Sequence, residues 1–245
     1  TTCTITTFSG TISVQSITWG ACTASTTGCI IDASVNNTNF TIADSTGTLF
    51  SGTGTGTRKW LSGTGTYTIT RSSSANWFSM NVTTNDQGSV FSGATWVLSG
   101  TTANGTQFLS GNFSYGPLTI NTNTSGGGVG FIGTATYASL TINSPNWVTL
   151  PQGVTTTITG ALTLNGSSVS SIVTFIGNNE PAAIATISLG SASTGSWNIL
   201  RAITTSGAAA LTASNCITIA GVTLANGGSC TAPAVGGGGG RIIGG

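Results

Sequence analysis

The sequence predicts an all-β protein, a parallel β-helix (β-solenoid) of about 22 residues per coil with an irregular N-terminal β capping or attachment region. Three observations predict it. Thr, Ser, Asn and 37 Gly dominate the composition, whereas Glu, Lys and Met each occur once, so strand and turn formers abound where helix formers are scarce. Short apolar-led segments recur at a fixed interval. Only 4% of the 245 residues are charged, against about 25% in an ordinary soluble domain.

Along residues 1–90, Phe40-Thr41-Ile42, Tyr67-Thr68-Ile69-Thr70 and Phe78-Ser79-Met80-Asn81-Val82 read as strands of uneven spacing, forming irregular coils or a small capping sandwich. Residues 91–225 carry the solenoid. Leu118-Thr119-Ile120-Asn121, Leu140-Thr141-Ile142-Asn143 and Leu162-Thr163-Leu164-Asn165 are one tetrad repeated at a spacing of 22, with Trp96 one step before and Ile184 one step after. A coil this small cannot bury its own apolar side chains, and stacking at about 4.8 Å buries them in one column. Stacking also aligns Asn121, Asn143 and Asn165 as a candidate amide ladder. Val129 to Tyr137, Trp147 to Leu150, Thr155 to Thr159 and Ile172 to Ile176 supply the other strands of each coil. Residues 226–245 form a Gly-rich tail, whose Ile242 and Ile243 are candidate anchors in an intersubunit groove.

With 38% hydrophobic residues the chain can bury a core, and no apolar run reaches the roughly 20 residues of a membrane-spanning helix. A net charge of +1 offers no field for nucleic acid or an anionic membrane surface. The chain begins at Thr1 and carries no basic segment followed by an apolar run; a signal peptide removed earlier would leave the same sequence.

His is absent, and the carboxylates are Asp32, Asp44, Asp86 and Glu180. They are too scattered for the paired acids of a glycosidase, and no metal or cofactor site is expected. Cys22 with Cys29 and Cys216 with Cys230 are candidate local disulfides stapling the two ends. Cys3 is left over, as a free buried thiol or an intersubunit cross-link. Arg58-Lys59-Trp60, the one adjacent charge pair, could meet an anionic glycan with Trp60 as a stacking platform; an exposed loop whose Trp docks into a neighbour is the plainer reading. The Gly-Thr runs at 52–57 and 63–66 lack the strand-to-helix context of a phosphate loop. Thr-x-Thr pieces at Thr4, Thr68, Thr155 and Thr157 raise ice binding, but they do not recur at the interval of the tetrads as a threonine ladder requires. The sequons at Asn36, Asn39, Asn81, Asn104, Asn112, Asn123 and Asn165 follow from composition.

Phe131-Ile132-Gly133-Thr134-Ala135-Thr136-Tyr137-Ala138-Ser139-Leu140-Thr141-Ile142, followed by Thr155 to Gly166, resembles the β-helical structural proteins of tailed bacteriophages over roughly residues 90–225. The resemblance implies a non-enzymatic, oligomeric protein on the virion surface: a head decoration protein, head fibre or tail fibre, contacting other virion proteins and a host-surface glycan. It carries no functional residue. The alternative is a secreted carbohydrate-binding adhesin or polysaccharide depolymerase, which needs a groove lined by Trp60, Trp77 or Trp96 with two carboxylates.

Overall fold

In a computed structural model, residues 6–15, 17–19, 29–44, 50–52, 58–71, 78–79, 88–102, 106–109, 112–124, 128–144, 146–177, 184–219 and 221–234 are described. Among them there is no helix, and every strand-to-strand pairing is parallel. The pairings form three ladders.

The first ladder runs through Thr11–Val14, Asn39–Asp44, Thr66–Arg71, Thr95–Thr102, Leu118–Thr124, Leu140–Asn143, Leu162–Asn165, Ser193–Arg201, Leu211–Ile219 and Ser229–Cys230. The second starts at Ile17–Trp19, Phe50–Gly52 and Phe78–Ser79. It continues through Thr106–Leu109, Val129–Ile132, Asn146–Leu150 and Val173–Gly177 into the C-terminal halves of Ser193–Arg201 and Leu211–Ile219. The third begins with Thr6–Thr7, Cys29–Asp32 and Arg58–Leu61, and ends with Ser114–Tyr115, Thr136–Tyr137, Thr155–Ile158, Ala185–Leu189 and Ile203–Gly207. Single bridges from Leu61 to Val90 and from Phe91 to Tyr115 join its two parts. The chain visits the ladders in the same order throughout.

Side chains alternate across each strand. The inward columns of the first ladder carry Phe40, Tyr67, Trp96, Leu118, Leu140 and Leu162, and beside them Ile42, Ile69, Leu98, Ile120, Ile142 and Leu164, all buried. Aromatic rings stack in the N-terminal half: Phe40 on Tyr67 at 5.0 Å, and Tyr67 on Trp96 at 4.6 Å. In the third ladder Phe91, Tyr115 and Tyr137 stack at 5.7 and 5.4 Å, a geometry that adds to the area they bury.

Partner spacing is uniform only in part. Trp96 pairs with Leu118, Leu118 with Leu140 and Leu140 with Leu162, three successive steps of 22. Below them the steps are longer, 27 from Phe40 to Tyr67 and 29 from Tyr67 to Trp96. Above them Thr163 meets Thr194 after 31, Ser193 meets Leu211 after 18, and Thr212 meets Ser229 after 17. The expected place of Ile184 in this register is therefore corrected. The segment around Ser168, which folds back on Ser171 in an antiparallel bridge, inserts residues into that passage. As a result Ser193 lies over Leu162, Ala185–Leu189 joins the third ladder, and Ile184 is 45% exposed. The short steps near the C-terminus enclose less volume: Gly195 and Ala213 stand where Leu164 stands below.

Turns between ladders are tight. Gly160 donates its N–H to Ala138 O at 2.7 Å, and a Cβ on Gly160 would lie 2.3 Å from that oxygen. Within Ser193–Arg201 and Leu211–Ile219, one strand serves two ladders by bending at Trp197 and Asn215, whose φ values are 50° and 49°. Neither is a glycine; this left-handed corner costs about 1–2 kcal/mol at Trp197, whereas Asn215 is of a residue type that adopts it more readily.

Candidate functional site

The strands of the first ladder point alternate side chains inward and the rest outward, and the outward set forms two uncharged columns. One column reads Ser13, Thr41, Thr68, Val97, Thr119, Thr141, Thr163, Thr194, Thr212 and Ser229. Its seven threonines are half-buried or exposed, and among the described residues no protein group hydrogen-bonds their hydroxyls. Neighbouring threonines stand about 4.8 Å apart, the parallel-strand spacing, and β-branching restricts each to few χ1 wells.

Two residues along each strand, about 6.6 Å away, runs the second column: Ala43, Thr70, Ser99, Asn121, Asn143, Asn165, Ser196 and Ser214. Here side chains bond one another. Thr70 Oγ1 and Ser99 Oγ are 2.9 Å apart. Asn143 Nδ2 donates to Asn121 Oδ1, and Asn165 Nδ2 donates to Asn143 Oδ1 at 2.8 Å. Each amide is thereby oriented, with one N–H of Asn143 and of Asn165 and both of Asn121 left for solvent. At the end of these strands the buried Asn146 accepts from Thr122 Oγ1 and donates to Asn143 O. Nothing in the sequence marks Asn146, because its role comes from the corner that carries it inward.

The third ladder is also hydroxylic outside. Ser114, Thr136, Thr157, Ser188 and Ser206 form one column, and Thr155, Thr186, Thr204 and Thr223 another. The second ladder differs. Trp147, Thr174, Ile199 and Ile217 share an outward column, with Trp147 and Ile217 each 45% exposed.

Trp60 requires a correction. It is 1% exposed, packs edge-on against Phe40 at 5.4 Å, and donates its indole N–H to Tyr67 Oη at 2.8 Å. An interior ring offers no face to a sugar. Its strand neighbour Lys59 is half-buried with its stem near Gly88, and Arg58 pairs with Cys29 in the ladder. Trp96 is likewise fully buried, and Trp77 lies outside the described residues. Asp32 accepts from Ser34 N and Oγ at 2.8 and 2.5 Å, a local turn. The side chains of Asp44, Asp86 and Glu180 lie outside the described set, and among the described residues no three His, Cys, Asp or Glu group to hold a metal ion.

Cys216 and Cys230 form a disulfide with Cα atoms 5.2 Å apart, joining the last two strands of the first ladder. Cys3, Cys22, the Cys29 side chain, and the tail anchors Ile242 and Ile243 lie outside the described residues.

Burial holds all three tyrosines in their neutral form. Desolvation raises the Tyr67 and Tyr137 phenols well above the ordinary value, and raises Tyr115 too, with the neighbouring Tyr137 adding to it. Tyr67 Oη is bonded to Trp60 Nε1 and Ser62 O, whereas the fully buried Tyr137 Oη has no partner among the described residues.

No protein-family model, no curated protein and no solved structure matches this chain.

Proposed function

We propose that the protein is a non-enzymatic structural component of a bacteriophage particle, a β-solenoid shaft exposed on the head or tail as a homo-oligomer. One observation carries the reading: a parallel ladder of ten strands whose inward columns are mainly apolar and whose two outward columns are uncharged, with a hydroxyl or amide at most rungs. Each passage of the chain through the three ladders supports one coil. Stacked coils bury what a single coil cannot, and they make a stiff rod.

Near-absence of charge suits such a rod. Like charges stacked at about 4.8 Å repel, whereas Thr, Ser and Asn stack without that cost. The apolar outward column at Trp147 and Ile217 supports side-by-side contact with another subunit or virion protein.

The test is direct. Antibodies against the purified protein, with gold detection, should label intact particles purified from the source of this sequence, and mass spectrometry of those particles should find it. Particles without the protein would overturn the reading, as would light scattering that finds only monomer for the oligomer.

A further inference from the structure

The geometry points to the outward face of the first ladder as an ice-binding surface, the chemical partner being the ordered water lattice of an ice crystal. The sequence argues against this, because Thr-x-Thr pieces do not recur at the interval of the tetrads. The structure removes that objection. Its threonine column needs only one threonine per strand: Thr119, Thr141 and Thr163 recur at 22, Thr41, Thr68, Thr194 and Thr212 lie on strands of uneven spacing, and the ladder brings all of them into line.

Four features converge on ice. The column is continuous: from Thr41 to Thr212 every rung carries a methyl, and every rung but Val97 a hydroxyl. Among the described residues its threonine hydroxyls have no protein partner, leaving their donors and acceptors for water, while the adjacent Asn column is held in place by its own hydrogen bonds. Neither column contains a charged residue, which would organise its own hydration shell instead of joining a lattice. Finally, the two repeats of the face, about 4.8 Å across strands and about 6.6 Å along them, lie close to the oxygen repeats on the prism faces of hexagonal ice.

Each contact of a hydroxyl with water is worth little alone. A rigid array adds many such contacts without paying to order each one. A glycan fits the face less well: neither column contains an aromatic ring, and glycan and ligand sites favour concave, aromatic-lined surfaces. Ice binding of this face does not depend on the protein being carried by a particle.

The experiment uses the purified chain in frozen sucrose solution, with ice grain growth followed by microscopy and thermal hysteresis by osmometry. Wild type should arrest grain growth. Thr141→Lys, at the middle of the column, should lose that activity, whereas Thr157→Lys on the third ladder should retain it, both with unchanged circular dichroism. Should Thr141→Lys fail to fold, Thr141→Ser, which deletes only the methyl, should weaken the arrest. Grain growth in wild type equal to that in buffer overturns the proposal, as does equal loss in Thr141→Lys and Thr157→Lys. Retention of a neutral polysaccharide, abolished by Thr141→Lys in a protein without ice activity, would overturn it in favour of a glycan.

Discussion

The ring of Tyr67 lies on that of Trp96, centroids 4.6 Å apart and planes 23° from parallel, although the two belong to successive passages of the chain. The Tyr67 hydroxyl in turn accepts the indole N–H of Trp60. Two neighbouring passages are thus tied by ring contact, and a buried hydrogen bond ties the third ladder to the first.

That arrangement separates two tyrosines of equal burial. Tyr67→Phe removes the acceptor of the Trp60 N–H and should cost about 1–2 kcal/mol. Tyr137→Phe removes a buried hydroxyl that has no partner among the described residues, so stability should stay level or rise. Urea denaturation of the two variants checks this; a Tyr137→Phe loss as large as that of Tyr67→Phe would contradict it.

Alkali should unfold the protein cooperatively. An unfolded chain releases tyrosine protons from about pH 10, whereas burial keeps them on Tyr67, Tyr115 and Tyr137 in the fold. The native state then binds more protons, so its stability is complete below about pH 10 and falls above it, by up to about 4 kcal/mol per pH unit for three groups. Tyrosinate absorbance and loss of circular dichroism should rise together. Ionisation of all three tyrosines in a still-folded chain would disprove the account.

Asn143 both donates and accepts in the amide column. Asn143→Ala interrupts two bonds at the surface and should destabilise by about 1–2 kcal/mol. Asn143→Asp keeps the acceptor and loses the donor to Asn121, so its loss should be smaller than that of Asn143→Ala above the carboxylate pKa. Thermal melts of both variants read the order.

The Cys216–Cys230 disulfide closes a loop with a separation of 14 residues, for which chain entropy gives about 3 kcal/mol. Cys230→Ser should lower the denaturant midpoint accordingly and increase amide exchange first at Thr212 and Cys216, next to the last strand. Unchanged exchange there would show that the end is held by other contacts.

Gly160 marks a corner with no room. A Cβ there would stand 2.3 Å from Ala138 O, so Gly160→Ala should cost about 1–3 kcal/mol through displaced backbone, whereas Gly153→Ala, which meets nothing within 4 Å, should pay only for its φ of 66°. Comparison of the two melts isolates the contact from the torsion.

Much of the fold is legible in the chain. The tetrads at Leu118, Leu140 and Leu162 are ladder partners, and Asn121, Asn143 and Asn165 are hydrogen-bonded neighbours, because equal spacings leave one consistent register. Trp60 departs from its expected place because an adjacent Arg58-Lys59 suggests a surface, while strand alternation turns the next side chain inward. The threonine column is only partly visible in the chain: Thr119, Thr141 and Thr163 are the second residues of the tetrads, whereas Thr41, Thr68, Thr194 and Thr212 join them across uneven steps that the sequence does not align.

By itself the sequence determined strand content, the alternation of inward apolar and outward hydroxyl residues, and register wherever spacing is constant, since these depend on residue type and on a period of two. Only the tertiary structure decided which strands meet where the spacing is uneven, as from Phe40 to Tyr67, from Thr163 to Thr194 and from Thr212 to Ser229. The physical reason is that corners can take up or drop residues at small cost, while each ladder, tied by backbone hydrogen bonds and packed columns, keeps its order.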